Sequence, residues 1–391
     1  VGLAAGLSWG LAKSESAAEQ VRADRKLTAA IIGHTGKGNY GHSLELIFND
    51  RENIQVVAVA DPNPTGRAKA AAQCKALRQY ANYREMLEKE KPSLVCIAPR
   101  WTDQHHAMGL AALQSGAHVC MEKPFTQTLA EADDLLRTAD QADLKIAVAH
   151  QMRVAPSTLH LKKALDAGLI GTLLEIRGHG KQDHRAGGED MVVLGTHLFD
   201  LVRMFAGDPL FCTARVLQNG HDIKLKDVRQ ATENIGPIAG DEIHATFAFP
   251  NGVNFNFTSR SQFRETAGPW GLELIGTKGI AKILAEMAPR IYLLKNSAWS
   301  TEGRNDSWHF LEGDPTVHFA AAERGFVPAN RLVADDWLDA IEANREPICS
   351  GRAAMKSLEM IMAAFAAGLS QSRVPMPLSN RSHPLVQLKA H

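Results

Sequence analysis

Between residues 27 and 121 apolar residues come in short unbroken runs separated by polar, helix-length stretches. Residues 27–33 (LTAAIIG), 54–60 (IQVVAVA), 93–98 and 117–121 carry no polar face, as strands of a parallel sheet covered on both sides require. Helices are predicted at 66–77, 82–89 and 110–114, and a further one of Leu44, Leu46 and Ile47 character after a glycine-rich turn. Strand and helix alternate, which implies a doubly wound parallel sheet. Beyond residue 150 the pattern changes. Strands are predicted at 173–178, 211–217, 243–249, 253–259 and 272–275, with Ala245, Phe247, Phe249, Phe255 and Phe257 alternating against polar neighbours. Asn251-Gly252 marks a hairpin within an antiparallel sheet buried on one face. Amphipathic helices follow at 330–343 (Leu332, Trp337, Ile341) and 352–371 (Met355, Leu358, Ile361, Met362), and Pro375 and Pro377 stop the second. The fold class is therefore α/β: a parallel-sheet domain over 27–149 and an α+β domain with a large, mostly antiparallel sheet over 150–391.

The first 26 residues stand apart. Val1 to Ala12 is an apolar run of small residues followed by the polar stretch Lys13 to Gln20, too short to span a bilayer. It matches the apolar core of an export signal, with Ser16-Ala17-Ala18 as a cleavage region, and the alternative is an N-terminal arm packed on a partner subunit. Lys+Arg and Asp+Glu each number 43, so no global charge favours nucleic acid or an anionic membrane surface. With 45% hydrophobic and 22% charged residues the chain composes as an ordinary globular protein. Cys74, Cys96, Cys120, Cys212 and Cys349 are too scattered for a zinc ribbon, a redox dithiol or a disulfide framework, and read as small buried hydrophobes.

Chemistry enters at the first strand end, in the loop Gly33-His34-Thr35-Gly36-Lys37-Gly38-Asn39-Tyr40-Gly41. A literal G-x-G-x-x-G lies at Gly36, Gly38 and Gly41. The register set by the strand is Gly33, Thr35 and Gly38, with Thr35 where a second glycine lets backbone approach a pyrophosphate and Gly36 supplying that freedom one residue later. The loop is expected to open a helix whose N-terminus favours phosphate. Asp61, at the end of the next strand, is placed to bond ribose hydroxyls and to repel a 2′-phosphate, which favours NAD over NADP; Arg67 nearby tempers that preference.

The strand at 117–121 runs into Glu122-Lys123-Pro124, and is preceded by His105 and the segment Ala111-Ala112-Leu113-Gln114-Ser115-Gly116. With these elements the chain resembles the Gfo/Idh/MocA oxidoreductases from about Leu27 to Leu378. The resemblance implies an N-terminal Rossmann domain and a lysine, Lys123, between nicotinamide and substrate hydroxyl, in a Lys-Pro peptide that is often cis. It also implies a cofactor-facing set of Gly33, Thr35, Gly36, Lys37, Gly38, Asn39, Tyr40, Asp61, Pro99, Arg100, His105, Glu122 and Lys123. In the segment 187–200 the family pattern GGxxxxDxGxHxxD is met by Gly187, Gly188, Gly195, His197 and Asp200, but Val193 stands at the position of the catalytic acid. On one continuous helix Asp190, three residues before Val193 and seven before His197, shares their face, so Asp190, or else Glu189, is expected to supply the carboxylate one turn earlier. The bland alternative is that both acids only favour the helix dipole.

Oxidising a secondary alcohol requires a base for the hydroxyl proton and a hydride acceptor. His197 suits the first task and Lys123 can stabilise alkoxide charge, though the two roles are interchangeable at this level. Arg153, in His150-Gln151-Met152-Arg153, and Lys181 and His184, in the polar loop 178–190, complete the expected substrate set with Lys123 and His197. No tight ligand spacing supports a metal. The function expected is an NAD-dependent oxidoreductase acting on a sugar, glycoside or polyol, working as a homodimer or homotetramer. Export through a twin-arginine signal to the periplasm would favour a tightly held cofactor. Two alternatives are an NAD-dependent glycoside hydrolase working by transient C3 oxidation, and a catalytically silent NAD- and sugar-binding protein.

Overall fold

Six short strands, β1 (Leu27–Ile32), β2 (Ile54–Ala60), β3 (Arg78–Tyr80), β4 (Leu94–Ile97), β5 (His118–Met121) and β6 (Ile146–Val148), form one sheet in the order β3-β2-β1-β4-β5-β6. Every pairing in it is parallel. The computed structural model describes residues 26–263, 269–296 and 307–386, and the expected export signal lies outside them but for its last residue. Helices α1 (Pro64–Gln73), α2 (Tyr83–Glu90), α3 (His105–Gln114) and α4 (Leu129–Gln141) connect the strands. Asn63 and Asn82 cap α1 and α2, and a Thr128–Glu131 capping box opens α4.

The first crossover departs from expectation. After β1 the chain makes only a 3₁₀ turn, Leu44–Phe48, preceded by Ser43 in a left-handed conformation. A phosphate-favouring α-helix N-terminus is therefore missing behind the glycine loop. Helix α8 (Phe326–Glu342), from the far end of the chain, covers this face instead: its buried Trp337 lies 6.4 Å from Phe48 between ring centroids. With that volume filled, a full crossover helix has no place to pack.

Helix α5 (Pro156–Asp166) leads into the second sheet, built from β7 (Leu173–His179), β8 (Phe211–Gln218), β9 (His221–Asp222), β12 (Glu242–Ala248), β13 (Asn254–Arg260), β14 (Gly271–Gly276), β15 (Ile280–Leu284), β16 (Arg290–Leu294), β17 (His309–Phe310) and β18 (Val374–Pro375). The short strands β10 (Arg229–Gln230) and β11 (Pro237–Ile238) pair apart. All pairings in the large sheet are antiparallel except β7 with β13. The expected hairpin joins β12 to β13, with Gly252 at φ 80°.

Helices α6 (Gly188–Val193), α7 (Gly195–Ala206) and α9 (Gly351–Ser370) cover one face of this sheet. Phe199 on α7 sets its ring 5.0–5.7 Å from those of Phe247, Phe255 and Phe257, the alternating inward positions of β12 and β13. Among the described residues α9 alone is long and apolar enough to cross a membrane, and its Leu358, Ile361 and Phe365 are buried in this core. All five cysteines are buried and free.

Candidate active site

Gly187 to Asp200 is not one helix. The chain breaks at Leu194 (φ −115°, ψ −36°), between α6 and α7. A Cβ on Gly195 would stand 3.2–3.3 Å from the rings of Phe257 and Phe199, so α7 sits on the sheet at glycine distance and its phase is set by that packing. The break puts Asp190 and His197 on different helices, while Asp190 and Val193 stay together on α6. Val193, Leu194 and His197 line a cavity of about 410 Å³, and Asp190 does not.

The Asp190 carboxylate accepts from Lys181 N at 3.2 Å, Gln182 N at 3.0 Å and Ser259 Oγ at 2.5 Å. Burial pushes its pKa up against those bonds. Its work is to fasten the 181–182 loop to β13. Glu189 likewise accepts from Thr232, at 2.8 Å from the backbone N–H, and lies 3.6 Å from Arg229. Neither acid replaces the one absent at Val193.

Lys123, in a cis Lys-Pro peptide just past β5, is buried and donates from Nζ to the Val193 carbonyl at 3.0 Å. Burial lowers its pKa, with Glu122 and Glu233 opposing. His197 is buried too, and burial together with the positive fields of Lys123, His150 and His42 holds it well below its usual value. Its Nδ1 has no hydrogen-bond partner among the described residues. The His150 ring stands edge-on to it at 5.5 Å and bonds Thr196 Oγ1 at 3.0 Å through Nε2. Arg153 turns away from the cavity and donates to Asp200 at 2.8 Å (main-chain O) and 3.1 Å (Oδ1).

Arg100 and Lys181 reach the cavity, whereas His184 is exposed and lies 3.8 Å from Asp183 outside it. Sequence motifs did not single out several other lining groups. Glu233 is held by Arg185 at 3.0 Å and Arg100 at 3.3 Å. Trp270 lies under the Lys181 ammonium at 5.8 Å, and Arg324 and Phe326 close one side at the start of α8. His42 stacks on Phe326 at 4.6 Å and bonds Glu122. A signal existed only for His42, which follows the last glycine of the loop; the others arrive from loops that only the tertiary fold brings near.

On the nucleotide side Gly33 and Gly38 are packing glycines. Gly38 has φ +81°, and a Cβ on it would stand 2.6 Å from Trp101 N and 2.7 Å from Arg100 N. Gly36, at φ +88°, is exposed with nothing within 4 Å of a built Cβ, which leaves the loop tip open to a phosphate-bearing ligand. Lys37 and Asn39 flank it, Asn39 Oδ1 accepting from Gly36 N at 2.9 Å, and Tyr40 packs its ring on Gly33. His105 is buried and ties two strand ends together, to Pro99 O at 2.6 Å and Pro124 O at 3.0 Å. Asp61 is also fully buried. Its carboxylate already receives Thr35 N at 3.0 Å, Thr35 Oγ1 at 2.7 Å and Asn63 N at 2.8 Å, so the expected open ribose acceptor is engaged by the residue standing at the second glycine position. Arg67 folds back onto the Asp61 carbonyl at 2.6 Å.

The fold has counterparts among known proteins. Residues 27–150 match the model of an oxidoreductase family with an NAD-binding Rossmann fold, and residues 162–378 match that family's C-terminal alpha/beta domain. A D-apiose dehydrogenase of Paraburkholderia graminis is 24% identical over 351 residues, covering 87% of this chain and 88% of its own. A levoglucosan dehydrogenase of Pseudarthrobacter phenanthrenivorans is 25% identical over 219 residues, 50% of this chain and 56% of its own. The solved levoglucosan dehydrogenase in complex with NADH and levoglucosan superposes with TM-score 0.72 at 19% identity, over 90% of this chain and all of that one. With both family models matched in order along the described fold, the chain belongs to the Gfo/Idh/MocA oxidoreductase family.

Proposed function

We propose that the protein is an NAD-dependent dehydrogenase that oxidises a secondary alcohol of a sugar or polyol. The observation that carries this reading is the burial of Lys123 and His197 in one cavity at the carboxyl end of β5, where ligands of parallel α/β sheets bind. The loop tip at Gly36, with Lys37 and Asn39, would hold the pyrophosphate, and Pro99, Arg100 and Glu122 would flank the nicotinamide half. When bound, the cofactor supplies the hydride acceptor. Lys123 keeps its ammonium against the substrate oxygen and stabilises alkoxide charge. His197, neutral because burial disfavours its charged form, lines the cavity and can hydrogen-bond a substrate hydroxyl. NAD is preferred over NADP because Arg67, tied to the Asp61 carbonyl, is not turned outward to meet a 2′-phosphate. Lys181 and Trp270 form an amphipathic wall suited to a sugar ring.

The named relatives are dehydrogenases, which favours this reading over the elimination and silent-binding alternatives. The test has two parts. Mass spectrometry of nucleotide released from denatured protein should find NAD, in near-stoichiometric amount if an export signal and captive cofactor go together. Wild-type protein with NAD should then form reduced nicotinamide with one of D-apiose, levoglucosan and a panel of pyranoses and inositols, and Lys123→Met should not. Protein that neither carries nor binds NAD refutes the proposal.

A further inference from the structure

The family motif loses its acid at Val193, and neither Asp190 nor Glu189 restores it. A different carboxylate–imidazole pair stands at the cavity, its His42 in the lining and its Glu122 buried behind it. Glu122, fully buried, accepts from His42 N and His42 Nδ1 through Oε1, both at 3.0 Å, and from Lys123 N through Oε2 at 3.1 Å. The His42 ring is held flat on Phe326, 24° from parallel, and Asn330 Nδ2 anchors its carbonyl at 3.0 Å. This imidazole lines the same cavity as Lys123 and His197 while its side chain keeps 26% exposure.

Resting on the dehydrogenase reading above, we propose that His42 is the catalytic base of this site and that Glu122 is its positioning residue. An ionised carboxylate only accepts hydrogen bonds, so Nδ1 must carry a proton and Nε2 of the neutral ring is left bare. That is the arrangement of an activated base oriented by a third group. Glu122 stays ionised at working pH: burial would raise its pKa, but the His42 hydrogen bonds and the Lys123 ammonium hold it below the usual carboxylate range. In the step proposed, the substrate O–H bond breaks and its proton passes to His42 Nε2. A bound oxidised nicotinamide would supply the acceptor for the carbon's hydrogen as hydride, and the electron pair released on oxygen would close the carbonyl. Glu122 balances the imidazolium, which then releases the proton through its exposed edge. His197, whose charged form burial and the Lys123 ammonium oppose, is left to hold the substrate by hydrogen bonding.

Nitrogen-15 NMR of histidine-labelled protein reads the tautomer directly, independent of turnover. His42, assigned by loss of its signal in His42→Gln, should show a protonated Nδ1 and a bare Nε2, and the reverse tautomer overturns the proposal. With NAD and the sugar that the wild type oxidises, His42→Gln should lower kcat by roughly 10²–10⁴-fold while the Kd for NAD stays within about threefold. Added imidazole should restore part of the kcat of His42→Ala. A His42→Gln enzyme with unimpaired kcat, or one whose loss lies wholly in NAD affinity, refutes the base role and leaves the dehydrogenase reading standing. A wild type that oxidises no sugar removes both.

Discussion

Replacing Glu122 by glutamine tests the electrostatic core of the site without reference to any substrate. Its carboxylate lies with no exposed surface among three N–H donors, and its pKa is held at about 2 against an ordinary 4.5. A displacement of roughly two and a half pH units at about 1.4 kcal/mol each makes the ionised form worth about 3 kcal/mol to the folded state. Glutamine keeps one acceptor oxygen for His42 but turns an amide donor towards Lys123 N, so most of that stabilisation should go. The sign of the pH dependence follows from the direction of the shift. A carboxyl group whose folded pKa is depressed contributes fully above its unfolded pKa, and the contribution drains as pH falls from about 4.5 towards 2.

Urea unfolding followed by tryptophan fluorescence, wild type against Glu122→Gln, provides the assay. At neutral pH the variant should be less stable by about 3 kcal/mol, and near pH 3.5 roughly 1 kcal/mol of that gap should have closed, because the wild type alone loses this contribution. A neutral-pH difference under about 0.5 kcal/mol, or a gap that stays constant between pH 5 and 3.5, would falsify the claim that Glu122 is a permanently ionised partner of His42 and Lys123.

Four further outcomes follow from the geometry. Lys123→Met should leave NAD binding intact by calorimetry but lower kcat by roughly 10²–10⁴-fold, since it removes charge stabilisation at the reacting oxygen; a kcat close to wild type counts against the site. Asp190→Asn should cost about 1–3 kcal/mol in unfolding assays and raise KM more than kcat, because the 181–182 loop loses its fastening while Lys181 still lines the cavity. Gly38→Ala should weaken NAD affinity and lower Tm, the left-handed φ and the 2.6 Å approach to Trp101 N both forbidding a Cβ, and an unchanged melt would contradict it. His383, pushed by burial down to about 4, makes the native state progressively less stable as pH falls from 6.5 to 4, where the unfolded chain is already protonated; His383→Gln should flatten that limb of the denaturation profile.

Much of the fold was legible because its strands follow the two simplest patterns. β2, apolar on both faces, and β12 and β13, alternating about a hairpin glycine, are found where the pattern places them. What escaped has a physical reason in each case. β3 (Arg78–Tyr80) has no fully buried residue and pairs at the sheet edge, with only Tyr80 packed against the core. β6 (Ile146–Val148) is too short to show a period. The helix expected after the glycine loop shrinks to a 3₁₀ turn because Trp337, almost 300 residues away in the chain, fills its place; no local pattern reports such an occupant.

The site was legible where it hangs from strand ends and illegible where its position depended on helix phase. Lys123 and Arg100 follow β5 and β4 within three residues, and a parallel sheet points those positions at one crevice whatever the loops do. His197 lies in the cavity too, but through the packing of Gly195 on Phe199 and Phe257, not through a shared face with Asp190. Asp190, on α6 with Val193, spends its carboxylate on Ser259 and the 181–182 loop. The same distinction governs the missing acid. A carboxylate lost from the helix at Val193 is more readily replaced from a strand end, where direction is guaranteed by the sheet, and Glu122, the first residue past β5, already holds the His42 imidazole at 3.0 Å. The Thr35–Asp61 pair follows this logic at the other end of the cofactor groove. A residue at the strand end satisfies the acid at 2.7 Å, so ribose recognition must either compete with that hydroxyl or use the loop tip at Gly36; a Thr35→Gly variant that binds NAD more tightly, by calorimetry, would show that it competes.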